Sequence, residues 1–301
     1  MIAPSNLNPV CGPRSRLARL AGILLGAVVA LCAGGAAAEP AIPGLMLPSD
    51  FGWTPLNSRG TIARYGTTWN DPPAPLRGPI HQDPKYPLRG NETRMPTPAL
   101  GNWQDPILKP WAAAQMRQSN EDLLSGKVGI PFRAQSQCWP GGVPGNHLWS
   151  SEPMYFIQKP KEAWIYWQRD QIVRRIMLTD RHSEHVKPSW YGESIGHYEN
   201  GELVVDTIGL AANKYSFIDD FRTPHTDKLH VVEHFKVSPD GKFLELLVKV
   251  EDEDTFNEPM YLAKRWRRDK YVWAESFCAE NNIDPFNSNL VPPPEAKQAD
   301  F

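Results

Sequence analysis

The chain reads as a mainly β protein whose strands close into a barrel, and three observations predict this. From Met154 onward, short alternating segments follow one another with little between them. Several links are very short, among them Arg169-Asp170, Asn200-Gly201 and Pro239-Asp240-Gly241, and such links join antiparallel neighbours because a parallel pair needs a long crossover. Aromatic residues belong to or flank the segments: Trp149, Tyr155, Trp164, Tyr166, Trp167, Trp266 and Trp273.

Taken in order, residues 1–38 have the form of an export leader. Arg14, Arg16 and Arg19 precede an apolar, small-residue run from Leu20 to Gly35, and Ala36-Ala37-Ala38 is a cleavage site before Glu39. Removing it takes away three arginines and no acids, leaving 29 basic and 34 acidic side chains, a formal net charge of −5. A periplasmic or secreted protein is expected. The leader run is too short for an anchor and no later segment reaches spanning length, so no membrane span is expected. Without a long basic run, nucleic acid is not an expected partner. Lys264 to Arg268 is locally basic and reads as the solvent face of a strand.

Residues 39–109 form a proline-rich arm. Pro72-Pro73-Ala74-Pro75 and Met95-Pro96-Thr97-Pro98 lack backbone donors, so regular sheet is not expected there. Phe51, Trp53, Tyr65, Trp69 and Trp103 favour an extended arm lying on the folded body over a disordered linker. A helix is expected from Pro110 to Ser125, with proline at its first position and Gly126 closing it in the left-handed conformation. The β-domain then covers 127–290, and 291–301 is a tail. Its strands are expected at 154–159, 162–168, 171–179, 193–199, 202–208, 228–237, 242–252, 260–268 and 270–278. An antiparallel meander of eight or nine strands closes most simply into a calycin- or lipocalin-like barrel, which removes exposed edges and can hold one small ligand. A β-sandwich is the alternative.

The Gly192-Glu193-Ser194-Ile195-Gly196 stretch matches a G-x-S-x-G nucleophile elbow, which requires a strand, a sharp turn and then a helix. Here the serine is followed by strand and by Asn200-Gly201, a type I′ hairpin signal, so the elbow lacks its context. The hairpin pairs Glu199 with Glu202, His197 with Val204 and Ile195 with Asp206. That places His197 and Asp206 diagonally on one face, a carboxylate-oriented imidazole suited to acid–base work if it lines the barrel. Ser194 falls on the other face with Tyr198, Leu203, Val205 and Thr207.

In the segment His225 to Phe235, alternation makes a strand on which His230 and His234 share one face and Glu233 the other. Four residues along a strand separate the two histidines by about 13 Å, too far for one ion. His225, just before the strand, is the second acid–base candidate, with Glu233, whose burial is costly unless it is paired. His182 and His185 in one loop, with His225, are the weak candidates for a zinc-like site. Glu193, Trp190, Tyr198 and His230 are the further candidates for ligand contact. No cofactor is expected. Cys138 and Cys278 are the only cysteines left after cleavage, and a disulfide between them would add up to about 4–5 kcal/mol in the chain-entropy model; two buried thiols are the alternative.

Several stretches together resemble a large family of secreted or periplasmic, mostly proteobacterial proteins. They are Lys109 to Ala113 (KPWAA), Cys138 to Pro144 (CWPGGVP), Pro188 to Gly209, Phe221 to Glu233 (FRTPHTDKLHVVE) and Cys278 to Asn282 (CAENN). The similar proteins usually carry Trp and Gly-Asp where this chain has Tyr198 and Asn200-Gly201. The resemblance implies export and pairing of Cys138 with Cys278; it implies no activity. From the residues themselves, the leading expectation is a barrel that binds a small apolar or aromatic molecule. An acid–base enzyme (hydrolase, isomerase or lyase) using His197 with Asp206, or His225 with Glu233, is the second. A structural envelope protein with a packed interior is the third.

Overall fold

The computed structural model describes residues 41–55, 101–128, 138–149, 153–213, 215–219, 221–276 and 278. Residues 1–40, most of the proline-rich arm and residues 279–301 lie outside them. The strands are β1 (Phe51–Pro55), β2 (Met154–Lys159), β3 (Glu162–Trp167), β4 (Val173–Leu178), β5 (Glu193–Glu199), β6 (Glu202–Ile208), β7 (His230–Val237), β8 (Phe243–Glu251) and β9 (Met260–Lys270). Hydrogen-bonded in sequence order, they form a closed barrel, with β1 pairing both β2 and β9. The hairpin register is as expected: Glu199 faces Glu202, His197 faces Val204 and Ile195 faces Asp206, with Asn200 and Gly201 both at positive φ.

Four expectations are corrected. The arm does supply sheet: Phe51 to Thr54 contain no proline, so their donors are intact, and Pro55 stands at the strand's end. This strand closes the barrel along five register pairs with β9. Of the two strands expected at 260–268 and 270–278 only one forms: β9 runs through Asp269, which pairs with Arg267 at 2.9 Å rather than marking a turn, and ends at Lys270, with residues 271–276 outside any strand. The barrel is also not wholly antiparallel. Residues 179–192 form a link long enough to cross over, and β5 runs parallel to β4 through Met177↔Ile195 and Leu178↔Gly196.

Helix α1 spans Pro110–Leu124, and Gly126 follows at φ +75°. Ala112, Met116 and Asn120 form its buried face, where the Asn120 amide both accepts from Gly101 N–H and donates to its carbonyl. A second, short helix, α2 (Gly145–Trp149), follows the segment that begins at Cys138. Cys138 is disulfide-bonded to Cys278 with 5.3 Å between their Cα atoms.

Alternation sorts each strand into an inner and an outer face. Inward lie Met154, Phe156, Ala163, Ile165, Trp167, Leu203, Val205, Val231, Phe235, Leu246, Val248, Leu262 and Trp266, all essentially without solvent exposure. Rings meet across this interior, as in the edge contact of Phe156 with Phe235 at 5.3 Å. Burying each such side chain is worth about 1.5–3 kcal/mol. The basic run at 264–268 does not lie on one face: Lys264 and Trp266 are buried, while Arg265 and Arg267 are exposed.

Candidate functional site

Polar groups gather at three places. The first is the lumen. Arg174 and Arg175 are adjacent in β4, so one must point inward; it is Arg174, 2% exposed. Its guanidinium meets Glu233 through both terminal nitrogens, Nη1 to Oε1 at 3.0 Å and Nη2 to Oε2 at 2.5 Å. It also donates to Ser194 Oγ at 3.0 Å and Thr207 Oγ1 at 2.7 Å. Helix α2 drops His147 onto this pair, with Nε2 2.9 Å from Glu233 Oε1 and the ring packed on Trp167, Phe235 and Trp266. Lys264 Nζ donates to the His147 carbonyl at 2.6 Å.

Burial opposes charge on Glu233, but Arg174 and the hydrogen bond from His147 outweigh it and hold the carboxyl at about 2. Burial lowers the pKa of His147 despite Glu233, so the ring is neutral and donates through Nε2. Its Nδ1 then has no partner among the described residues. The inward Glu233 is thus paired from two sides, meeting the condition its burial imposes.

The second place is the outer face of β5 to β8. His182, from the loop after β4, lies between two carboxylates, with Nδ1 3.0 Å from Glu193 and Nε2 3.0 Å from Asp206. Asp206 Oδ1 also meets His230 Nε2 at 3.0 Å, and His230 Nδ1 lies 3.4 Å from Glu251. Burial works against the Asp206 charge, yet its bonds to His230 and His182 bring its pKa down. The bond to Asp206 raises that of His230 against partial burial.

The third is a cleft at the barrel end where β5 and β7 begin and β6 finishes. Pro140 to Val143, Trp190, Leu210, Ala211, Tyr215 to Phe217 and His225 line it, and it is partly open to solvent, with a free volume of about 10 Å³. Trp139 packs its edge against Trp190 and Tyr215, each at 5.4 Å, and braces both. Ser189 is tied to the end of β6 by N–H to Gly209 O at 3.0 Å and by Ala211 N–H to its carbonyl at 2.8 Å, which places Trp190. The segment 138–149 therefore serves two sides: its start walls the cleft and its end inserts His147 in the lumen.

His225 is held from behind. Its Nδ1–H donates to the Thr226 carbonyl at 2.9 Å, and Thr226 is held by Asp252 through its N–H at 2.6 Å and its hydroxyl at 2.9 Å. Burial lowers the His225 pKa more than that carbonyl and Asp252 raise it. The ring is thus a neutral imidazole of fixed tautomer at the edge of a cleft.

The sequence-based pairings are not formed. His197 is exposed and its acidic neighbour is Glu199 at 3.5 Å, not Asp206, because Asp206 is taken by His182 and His230. His225 and Glu233 belong to the cleft and the lumen respectively. Among the described residues no group of three His, Cys, Asp or Glu could hold a metal: His182 is engaged by carboxylates, His185 is an exposed loop residue and His225 lines the cleft. Of the ligand candidates, Trp190 lines the cleft, Glu193 and His230 lie on the outer face, and Tyr198 packs half-buried on the core with burial pushing its hydroxyl up to about 12.

Ser194 is buried in the lumen against Arg174 and Thr207. The glycines of the elbow-like motif answer to packing. A Cβ at Gly192 would fall 2.3 Å from Ile208 O, and one at Gly196 would fall 2.8 Å from Val204 O. Reading the sequence missed Arg174 and His147. The first carried a signal, since consecutive arginines in a strand must take opposite faces; the second carried none, because a long-range insertion decides it. Comparison of the chain with family models found no match, and comparison with curated proteins found none either.

Proposed function

We propose that this is an exported binding protein that holds a small apolar or aromatic molecule, and that the ligand sits in the cleft at the barrel end rather than in the lumen. The observation that carries this is the meeting of residues 140–143, 190, 210–211, 215–217 and 225 on one small aromatic-walled cleft, while the lumen is occupied by side chains. The disulfide between Cys138 and Cys278 supports an oxidising compartment. Native mass spectrometry of protein released gently from the periplasm tests both parts. A retained organic mass, absent from Trp190→Ala, is the expected result. Protein found only in the cytosolic fraction, or an occupant unaffected by Trp190→Ala, would rule the reading out.

A second reading is an acid–base enzyme centred on His225, favoured by the fixed tautomer that leaves Nε2 as a base. On that reading a molecule bound to the wild type is converted over time, and His225→Gln binds without converting it.

A further inference from the structure

The crossover loop 179–192 is fastened to the outer wall of the barrel at two points of different chemistry. At its far end Ser189 is held by backbone bonds to Gly209 and Ala211, which do not titrate. Near its start the fastening is titratable. His182, 18% exposed, has Nδ1 3.0 Å from Glu193 of β5 and Nε2 3.0 Å from Asp206 of β6. Asp206 continues the chain to His230 of β7 at 3.0 Å, and His230 Nδ1 lies 3.4 Å from Glu251 of β8. A neutral imidazole has one N–H and can satisfy only one of the two carboxylates beside His182; the imidazolium donates to both.

We infer that His182 is a proton-operated latch: as an imidazolium it ties the start of the crossover loop across β5 to β6, and on losing a proton it lets go. Ser183 keeps the loop on β5 in either state, because its N–H, at 2.7 Å, and its hydroxyl both donate to Glu193. That fixes the Glu193 carboxylate in place. A neutral ring that kept Asp206 would therefore turn its Nδ1 lone pair against a fixed carboxylate oxygen, so the ring leaves and the tie to β6 goes with it. The surrounding charges favour the closed state. Burial opposes the Asp206 charge, but bonds from both rings outweigh it and keep the shared carboxylate ionised as pH falls. From β8, Lys249 works against protonation of His230 but is itself paired with Glu251 at 2.7 Å. On the loop, Asp180, Arg181, Glu184, His185 and Lys187 are exposed to water, which screens them. Farther along the sheet His197 lies by Glu199, and His234 and Lys236 both meet Glu202. The latch stands whether or not the cleft takes a ligand.

The test is limited proteolysis of the purified protein with a Glu-specific protease at pH 5.5 and pH 8. Cutting after Glu184 is followed by mass spectrometry and normalised to a synthetic peptide of residues 179–190, so that the protease's own pH dependence cancels. The normalised rate reports how often the loop is open. It is expected to be about fivefold higher at pH 8, the upper size of a solvent-exposed ion pair. His182→Gln should cut fast at both pH values. His182→Arg, always charged and with donors on both edges of its guanidinium, should cut slowly at both. Asp206→Asn removes the partner on β6, should likewise cut fast at both pH values, and decides the matter if His182→Gln fails to fold by circular dichroism. Equal wild-type rates at the two pH values, or a pH dependence that survives His182→Gln and Asp206→Asn, overturns the latch. A parallel rise in cutting after Glu121 in α1 overturns it too, since the whole fold would then be loosening.

Discussion

Two clusters built from the same side-chain types lie on opposite sides of one sheet, and they behave differently. Glu233 faces inward on β7 and is sealed with Arg174 and neutral His147; His230, on the same strand, faces outward and meets Asp206 in partial contact with water. Within the lumen, desolvation makes any unmatched charge expensive, so the network holds only if complete. On the outer face solvent screens each pair, so the same bonds contribute little to stability and respond readily to pH. Location relative to the barrel wall, not residue identity, sets what a His–carboxylate contact does here.

The largest expected effect comes from breaking the sealed network. Glu233→Leu strands the Arg174 charge and should cost about 3–5 kcal/mol in urea unfolding, whereas Arg174→Met combined with Glu233→Leu should recover much of it. A single-variant loss under about 1 kcal/mol would show that the lumen is not sealed. Next comes the tether of the segment that delivers His147: replacing Cys138 and Cys278 with Ser should cost about 2–4 kcal/mol. Intact mass should rise by about two units on reduction, one hydrogen per sulfur; an unchanged mass would remove the tether from the comparison.

Stability against pH separates the two clusters by sign. His147 has a pKa below its ordinary 6.5, so the unfolded chain takes up a proton that the folded one refuses, and stability falls as pH drops below that value. Glu233 acts in the same direction lower down, its contribution being present above its ordinary 4.5 and lost as pH falls toward about 2. His230 has the opposite sign: its raised pKa gives stability that is complete below 6.5 and lost as pH rises through its folded value. Thermal melts should therefore show a decline on both sides of a maximum. Asp206→Asn should flatten the alkaline side at a cost of about 1 kcal/mol or less, and an unaltered alkaline limb would sink the outer cluster's role. The smallest effect is expected from His197→Ala, within about 0.5 kcal/mol of wild type in urea unfolding, because the ring is exposed and only loosely paired.

The hairpin at 193–208 was readable to the residue, since Asn200-Gly201 specifies the turn and the period of two then assigns every face. The cost of an inward Glu233 was equally readable from alternation. Three things were not. β1 is a five-residue strand among prolines, too short for periodicity to stand out. The parallel β4–β5 pair arises in a long link whose path no local signal records. The cleft joins residues 140, 190 and 225, and its relation to Trp139 and His225 exists only once the barrel has closed.

By itself, then, the sequence determined the local rules: where strands alternate, how the hairpin turns, where α1 starts and stops, and which charged residue must find a partner if buried. These depend on φ/ψ preferences and on the period of two, which act over a few residues. The tertiary structure alone decided the partners. Arg174 and His147 reach Glu233, His182 and His230 reach Asp206, and Trp190 reaches Trp139, across separations no pattern encodes. Side-chain chemistry sets what each group needs, and only barrel closure sets which neighbour meets the need and whether water is present when it does.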